Sequence, residues 1–204
     1  MHSRQSANFP ILSLIAALLL IAGLGTGMLC TFFPARSPHH PKPDIPLLLQ
    51  FDERWKNEPY GTSDLQSAGC APTCIAMIFS YLNKEPEIDP VAIARFSESN
   101  GHYVDGAGTA HTLFVDAAAA YHIEEQDIAP YEDTIDQVLQ ENKLIIASMV
   151  PGHFTRTGHF IVLAGIKDNQ YEVLDPNSEE RSTLWDKSIV LDEMTSAWGF
   201  WKAG

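Results

Sequence analysis

Cysteine is scarce: Cys30, Cys70 and Cys74 are the only three in 204 residues. Three thiols do not make a disulfide framework, and Cys70 and Cys74 stand one helical turn apart, a poor geometry for bridging. Cysteine here serves chemistry or packing. Positive charge is also short. Of 13 basic residues, Arg4, Arg36 and Lys42 precede residue 44, whereas all 26 acidic ones lie from Asp44 onward, so the chain from residue 44 carries a net charge of −16. Phosphate backbones are held by Lys and Arg through counterion release, which excludes nucleic acid as a partner for so acidic a domain. The acidic balance reads as a solvated surface. An HEXXH pattern is missing, so a metal-dependent hydrolase would have to draw on His153, His159 and Asp175 and would leave Cys70 without a role. Neither metal nor cofactor is expected.

Charge of either sign is absent from Phe9 to Phe33, FPILSLIAALLLIAGLGTGMLCTFF, a run long enough to cross a bilayer and flanked by Arg4 and Arg36. It reads as a transmembrane anchor or a signal sequence. Gly25 and Gly27 suit a signal peptidase, but the apolar run continues beyond them, which favours the uncleaved anchor. Leu29, before Cys30, is too large for lipoprotein processing. The domain is expected outside the cytoplasm, tethered by this helix, or secreted if the segment is cleaved. Residues 1–8 form a short tail. Residues 34–46, PARSPHHPKPDIP, read as an extended Pro-rich spacer. Residues 47–204 are the size of one domain with one core.

Within that domain Cys70-Ala71-Pro72-Thr73-Cys74 leads into IAMIFSYLN, a loop entering a buried helix, with Pro72 in the first turn where its missing N–H costs nothing. Asp89 as cap and Pro90 after it announce a second helix ending at Gly101; a third is expected over 109–121 and a fourth over 134–141. The pattern then changes. LIIASMV from Leu144, HFIVLAGI from His159 and YEVLD from Tyr171 are short runs rich in β-branched residues and separated by turn signals. A helical first half followed by an antiparallel sheet is an α+β arrangement.

Three residues stand out for their chemistry. Cys70 sits at a helix amino terminus, where free N–H groups and the macrodipole stabilise a thiolate, the attacking form. Cys74, one turn on, reads as a small buried hydrophobe. His159 opens a strand after Gly158, and imidazole in a rigid setting accepts a thiol proton and returns it to a leaving amine. Asp175 in Val173-Leu174-Asp175-Pro176-Asn177 is placed to accept the second ring N–H of His159, although an Asp before Pro is also an ordinary turn. Counting pairs back from a turn at Asp168-Asn169 sets Asp175 three residues out of register with His159, so a bulge or strand curvature is required. Arg156 and His153 stand in the loop before His159, where they border a cleft or simply make a polar turn. Trp55, Tyr60, Trp185, Trp198 and Trp201 read as packing.

Gln50-Phe51-Asp52-Glu53-Arg54-Trp55, Tyr60-Gly61, Gly69-Cys70-Ala71-Pro72-Thr73, Thr157-Gly158-His159-Phe160 and Leu174-Asp175-Pro176 follow one another in an order and spacing that resembles the bacteriocin-processing cysteine peptidases. These enzymes remove double-glycine leaders; the likeness is strongest to stand-alone bacterial relatives in the papain-like superfamily, and it covers most of residues 46–200. Ala71 replaces the glycine frequent in relatives. The resemblance implies Cys70 as nucleophile, His159 as base and Asp175 as the orienting third member, on a helical lobe packed against an antiparallel β lobe. It implies Gln50 as the side-chain donor to the oxyanion, with Gln66 a competing candidate and residues 52–68 having to fold back. The expected activity is hydrolysis of a peptide or amide bond through an acyl-enzyme. Papain-like acyl transfer and a membrane-tethered binding module without activity are the alternatives. A peptide or protein is the expected substrate, its identity open.

Overall fold

The computed structural model describes residues 44–203. The tail, the apolar run over 9–33 and most of the spacer therefore lie outside the described residues. Among those described, no helix is long and apolar enough to cross a membrane.

Two short strands, β1 (Pro59–Tyr60) and β2 (Ser63–Asp64), lead to α1 (Leu65–Ala68), and Gly69 joins α1 to α2 (Cys70–Asn83). A Cβ at Gly69 would lie 2.3 Å from the Leu65 carbonyl oxygen, so only glycine allows the two helices to meet this closely. Helix α2 is buried from Ala71 to Ser80, as its apolar sequence requires, and ends at Lys84 in the left-handed conformation. In α3 (Pro90–Ser99) the Asp89 carboxylate caps the helix by accepting from the Ala92 N–H at 2.8 Å. Strands β3 (Tyr103–Val104) and β4 (Gly108–Thr109) pair before α4 (Thr112–Ala120). That pairing takes up residue 109 and delays the third predicted helix by three residues.

The first half is less helical than the sequence suggests, because β5 (Glu124–Ile128) follows α4. Its EEQDI sequence has one apolar residue at the end, and alternation cannot reveal a strand so polar. After α5 (Glu132–Gln140) come the three predicted strands, β6 (Leu144–Met149), β7 (His159–Lys167) and β8 (Gln170–Leu174), then β9 (Leu184–Asp186), α6 (Lys187–Glu193) and β10 (Met194–Trp201). The sheet order is β5-β10-β6-β7-β8-β9, every neighbour antiparallel. Strand β10 thus lies inside the sheet although the sequence reading gave it no role. Gly199 lies in it where a Cβ would press on Ile128 and Val138 at 3.2–3.3 Å.

Successive residues of β6 and β7 serve different cores. Ile146, Phe160 and Val162 pack with Phe79, Phe114 and Phe200 on the α2 side. Ile145, Ile161 and Leu163 pack with Ile135, Val138 and Val190 of α5 and α6. Both faces are covered, which explains why these strands read as continuous apolar runs. Lys187, buried, donates to Asp136, and the Tyr171 hydroxyl donates to the same carboxylate at 2.9 Å, tying α5 to α6 and β8.

The β7–β8 hairpin turns at Asp168 and Asn169, both with positive φ, as their composition predicts. From Lys167↔Gln170 the ladder runs to Gly165↔Glu172 and then shifts, resuming as Leu163↔Val173 and Val162↔Leu174. Ala164 is the extra residue of a bulge. Extended by one pair, the shifted register sets Asp175 level with Ile161, two residues from His159 and on its face of the strand. A regular ladder would have put the two on opposite faces. Phe200, fully buried between α2 and the sheet, tests the inner position of β10: Phe200→Ala is expected to lower stability in urea unfolding by about 3–5 kcal/mol.

Candidate active site

Cys70 is the first residue of α2, partly exposed, with the N–H groups of the first turn around it. His159 opens β7 opposite Met149 and is 6% exposed. Asp175, fully buried, follows β8. The structure brings all three together. His159 Nε2 and Asp175 Oδ1 are 2.7 Å apart, and the Cys70 side chain lies near enough to the ring to raise the His159 pKa, with Nδ1 the ring nitrogen left free of Asp175. The bulge at Ala164 takes up one of the three residues by which the two were out of register and so puts them on one face of the hairpin.

Burial works against charge on His159, but the hydrogen bond to Asp175 and the negative charge of Asp175 and Cys70 outweigh it and push its pKa up to about 9. Asp175 moves the other way. Its burial raises the carboxyl, and this is outweighed by His159, by Arg181 and by the Asn177 N–H, which hold it below the usual carboxylate range. Arg181 Nε donates to Asp175 Oδ2 at 2.6 Å, and the Asn177 N–H donates to Oδ1 at 2.7 Å.

Gln50 and Gln66, rival candidates in the sequence, take different positions. Gln50 is 4% exposed; its backbone N–H donates to the Pro176 carbonyl at 2.7 Å, and its Nε2 donates to the Gln66 carbonyl at 2.6 Å. Gln66 is exposed and meets Gln50 through its backbone. Residues 52–68 therefore do fold back, and Gln50 lies beside the turn that carries Asp175. Its Oε1 is buried without a partner.

Cys74 is fully buried with Sγ 3.4 Å from the Phe160 carbonyl, and burial raises its pKa well above that of a free thiol. It packs, as expected. Trp55, Tyr60 and Trp198 are buried, which accords with their reading as packing residues. His153 pairs with Glu193 Oε1 at 2.5 Å. Two anchors escaped the sequence reading. Arg181 is one. The other is Glu193, which accepts the backbone N–H of His153 and fastens the loop that leads into His159. Neither belongs to a motif, and their partners lie 6 and 40 residues away; an acidic residue closing a helix gives no sign of its target.

The site thus sets a cysteine at a helix amino terminus beside a His–Asp pair at strand ends. The chain belongs to the Peptidase_C39 like family, whose model matches residues 42–202, and membership supports cysteine peptidase activity. Among solved structures, the peptidase domain of Streptococcus ComA, described as a bi-functional ABC transporter involved in a quorum sensing pathway, is similar at 19% identity and TM-score 0.54, over 67% of this chain and 93% of its own. A double glycine motif protease from an AMS/PCAT transporter, in complex with the leader peptide, is 18% identical with TM-score 0.54, over 81% of this chain and 96% of its own. A C39-like peptidase from Bacillus anthracis is 13% identical with TM-score 0.52, over 79% and 96%. These likenesses show the shared fold. No curated protein gives a significant match.

The raised His159 pKa has a consequence for stability. Protonated His159 contributes stability that is complete below its ordinary value of 6.5 and is lost as pH rises through about 9. Urea unfolding between pH 6 and 10 is expected to show falling stability in the wild type, and a flatter profile in His159→Gln.

Proposed function

We propose that this protein is a cysteine peptidase in which Cys70 attacks a peptide or amide carbonyl and forms an acyl-enzyme that water then hydrolyses. The observation that carries this reading is the His159–Asp175 bond at 2.7 Å, with Cys70 at the amino terminus of α2 near enough to act on the same imidazole. Asp175 on Nε2 leaves Nδ1 toward the sulfur, so one ring nitrogen is committed to orientation and the other to proton transfer.

In the first step the thiolate adds to the carbonyl, and the oxyanion takes the Cys70 backbone N–H and an N–H of Gln50. Gln50 Nε2 has two hydrogens, and Gln66 occupies one. The imidazolium of His159 then protonates the leaving amine as the C–N bond breaks. Neutral His159 next removes a proton from water, which attacks the thioester and releases the acid, and the sulfur leaves as thiolate, restoring the ion pair with the imidazolium. A peptide substrate is supported by the related transporter protease, whose structure holds a leader peptide. The uncharged run over 9–33 is long enough to cross a bilayer and supports tethering of this activity to a membrane.

The first test needs no substrate. Iodoacetamide labelling of the full chain at neutral pH, mapped by peptide mass, is expected at Cys70 and not at Cys74, and the Cys70 rate is expected to fall at least about tenfold in His159→Ala. Equal rates in the two proteins would remove the proposal and favour a binding module. Once a cleavable peptide is found, Gln50→Ala is expected to lower kcat by about 10²–10³. Added amines then separate hydrolysis from acyl transfer by the product formed.

A further inference from the structure

The turn after β8 carries a cation that the peptidase chemistry just described does not use. Asp175 is followed by a segment bonded to itself. The Asp175 N–H donates to Ser182 Oγ at 2.9 Å, Ser182 Oγ donates to the Ser178 carbonyl at 2.8 Å, and the Arg181 N–H donates to Ser178 Oγ at 3.1 Å. The Arg181 carbonyl accepts from Trp185 Nε1 at 2.9 Å, and Trp185 packs on Phe154 at 4.6 Å between centroids. Arg181 is thus held at both its backbone and its guanidinium, with its Nε 2.6 Å from Asp175 Oδ2.

The surroundings of Asp175 divide the work between its two oxygens. Oδ1 has His159 Nε2 and the Asn177 N–H, two partners that fix its direction without Arg181. Oδ2 has Arg181. The remaining groups near the carboxylate are the Cys70 side chain beyond His159, the hydroxyl of Ser182 and the buried Cys74 thiol, which burial keeps neutral. The guanidinium is therefore the one positive charge besides His159 recorded against Asp175, and its loss would leave the orientation of Oδ1 in place while removing charge.

We propose that Arg181 is a positioning residue that balances the charge of Asp175 and thereby sets the pH range over which His159 keeps its proton. This rests on the triad reading above. A lone carboxylate beside His159 would hold the imidazolium too firmly. A general acid whose proton is held ever tighter gives it up ever more slowly to a leaving amine. By drawing part of the carboxylate's charge to Oδ2, Arg181 keeps the proton on His159 transferable.

The test is a titration of the His159 imidazole by NMR in the full chain labelled at histidine, with the resonance assigned by its loss in His159→Ala. In Arg181→Gln the midpoint is expected to rise by about 0.5–1 pH unit, a three- to tenfold tighter hold on the proton, as befits one partly exposed charge. In Arg181→Lys, which restores the charge, it is expected to return to within a few tenths of a unit of wild type. A merely structural arginine would not separate Gln from Lys in this direction. Arg181→Met keeps the packing of the stem and gives the same reading should the glutamine variant not fold. An unmoved or lowered midpoint in the neutral variants, or a lysine variant indistinguishable from them, overturns the proposal. Asp175→Asn separates the two levels: a midpoint it fails to lower sinks the triad itself, whereas one that it lowers while Arg181→Gln has no effect sinks the role of Arg181 alone.

Discussion

The structure depends on keeping one carboxylate charged out of contact with water. Asp175 is fully buried, and an isolated carboxylate in such a place would cost several kcal/mol or take up a proton. It stays ionised because His159, Arg181 and the Asn177 N–H each hydrogen-bond it within 2.7 Å. These partners come from β7 and from the turn that Asp175 itself begins. The carboxylate is thus the point at which the sheet end, the turn and, through His159, the amino terminus of α2 are joined. Losing any one partner would raise the cost of keeping the carboxylate charged, which the other two would then have to offset.

That junction is reached through strand register rather than through proximity in sequence. His159 and Asp175 stand 16 residues apart on a hairpin whose turn is fixed by Asp168 and Asn169. A regular hairpin of this length has the wrong parity, and the additional residue at Ala164 restores it. Bulges are structurally costly in the middle of a buried sheet, so one that brings two polar side chains onto the same face has a reason to persist. The sheet around it is clamped on both faces by apolar cores, which leaves the strand ends little freedom. Glu193 adds a second restraint by holding the backbone of the loop before His159.

How much of this was legible in the sequence follows from the range of the interactions. The helix that begins at Cys70 announces itself locally, through a buried apolar run after Cys70 and a proline where no N–H is needed. So does the Asp89 cap, and so do β6, β7 and β8, whose β-branched runs match the observed strands. Strands β5 and β10 stayed hidden for opposite reasons. The first is a polar edge strand that buries little; the second mixes Thr, Ser, Gly and Trp, and only its neighbours β5 and β6 reveal it as a strand inside the sheet. The need for a bulge was legible from counting pairs; its place at Ala164 was not. The hydrogen bond that joins Gln50 to the Gln66 carbonyl is tertiary and leaves no trace in the sequence, and Arg181 has no motif around it.

Stability and chemistry are coupled through the same few bonds. A base that also carries a hydrogen bond to a buried carboxylate holds its proton well above neutrality, which favours the ion pair with sulfur but slows release of that proton. Removing the carboxylate would relieve the second problem and lose the first advantage, along with the orientation of the ring. A second cation on the far oxygen changes the balance by degree, because its charge is felt by the imidazole only through the carboxylate and across a longer distance. Arg181 is also partly exposed, so water screens it in a way that it does not screen the fully buried Asp175. The result is an adjustable element set behind a rigid one. On this reading a change at residue 181 would shift the working pH without touching Cys70, His159 or the carboxylate beside them.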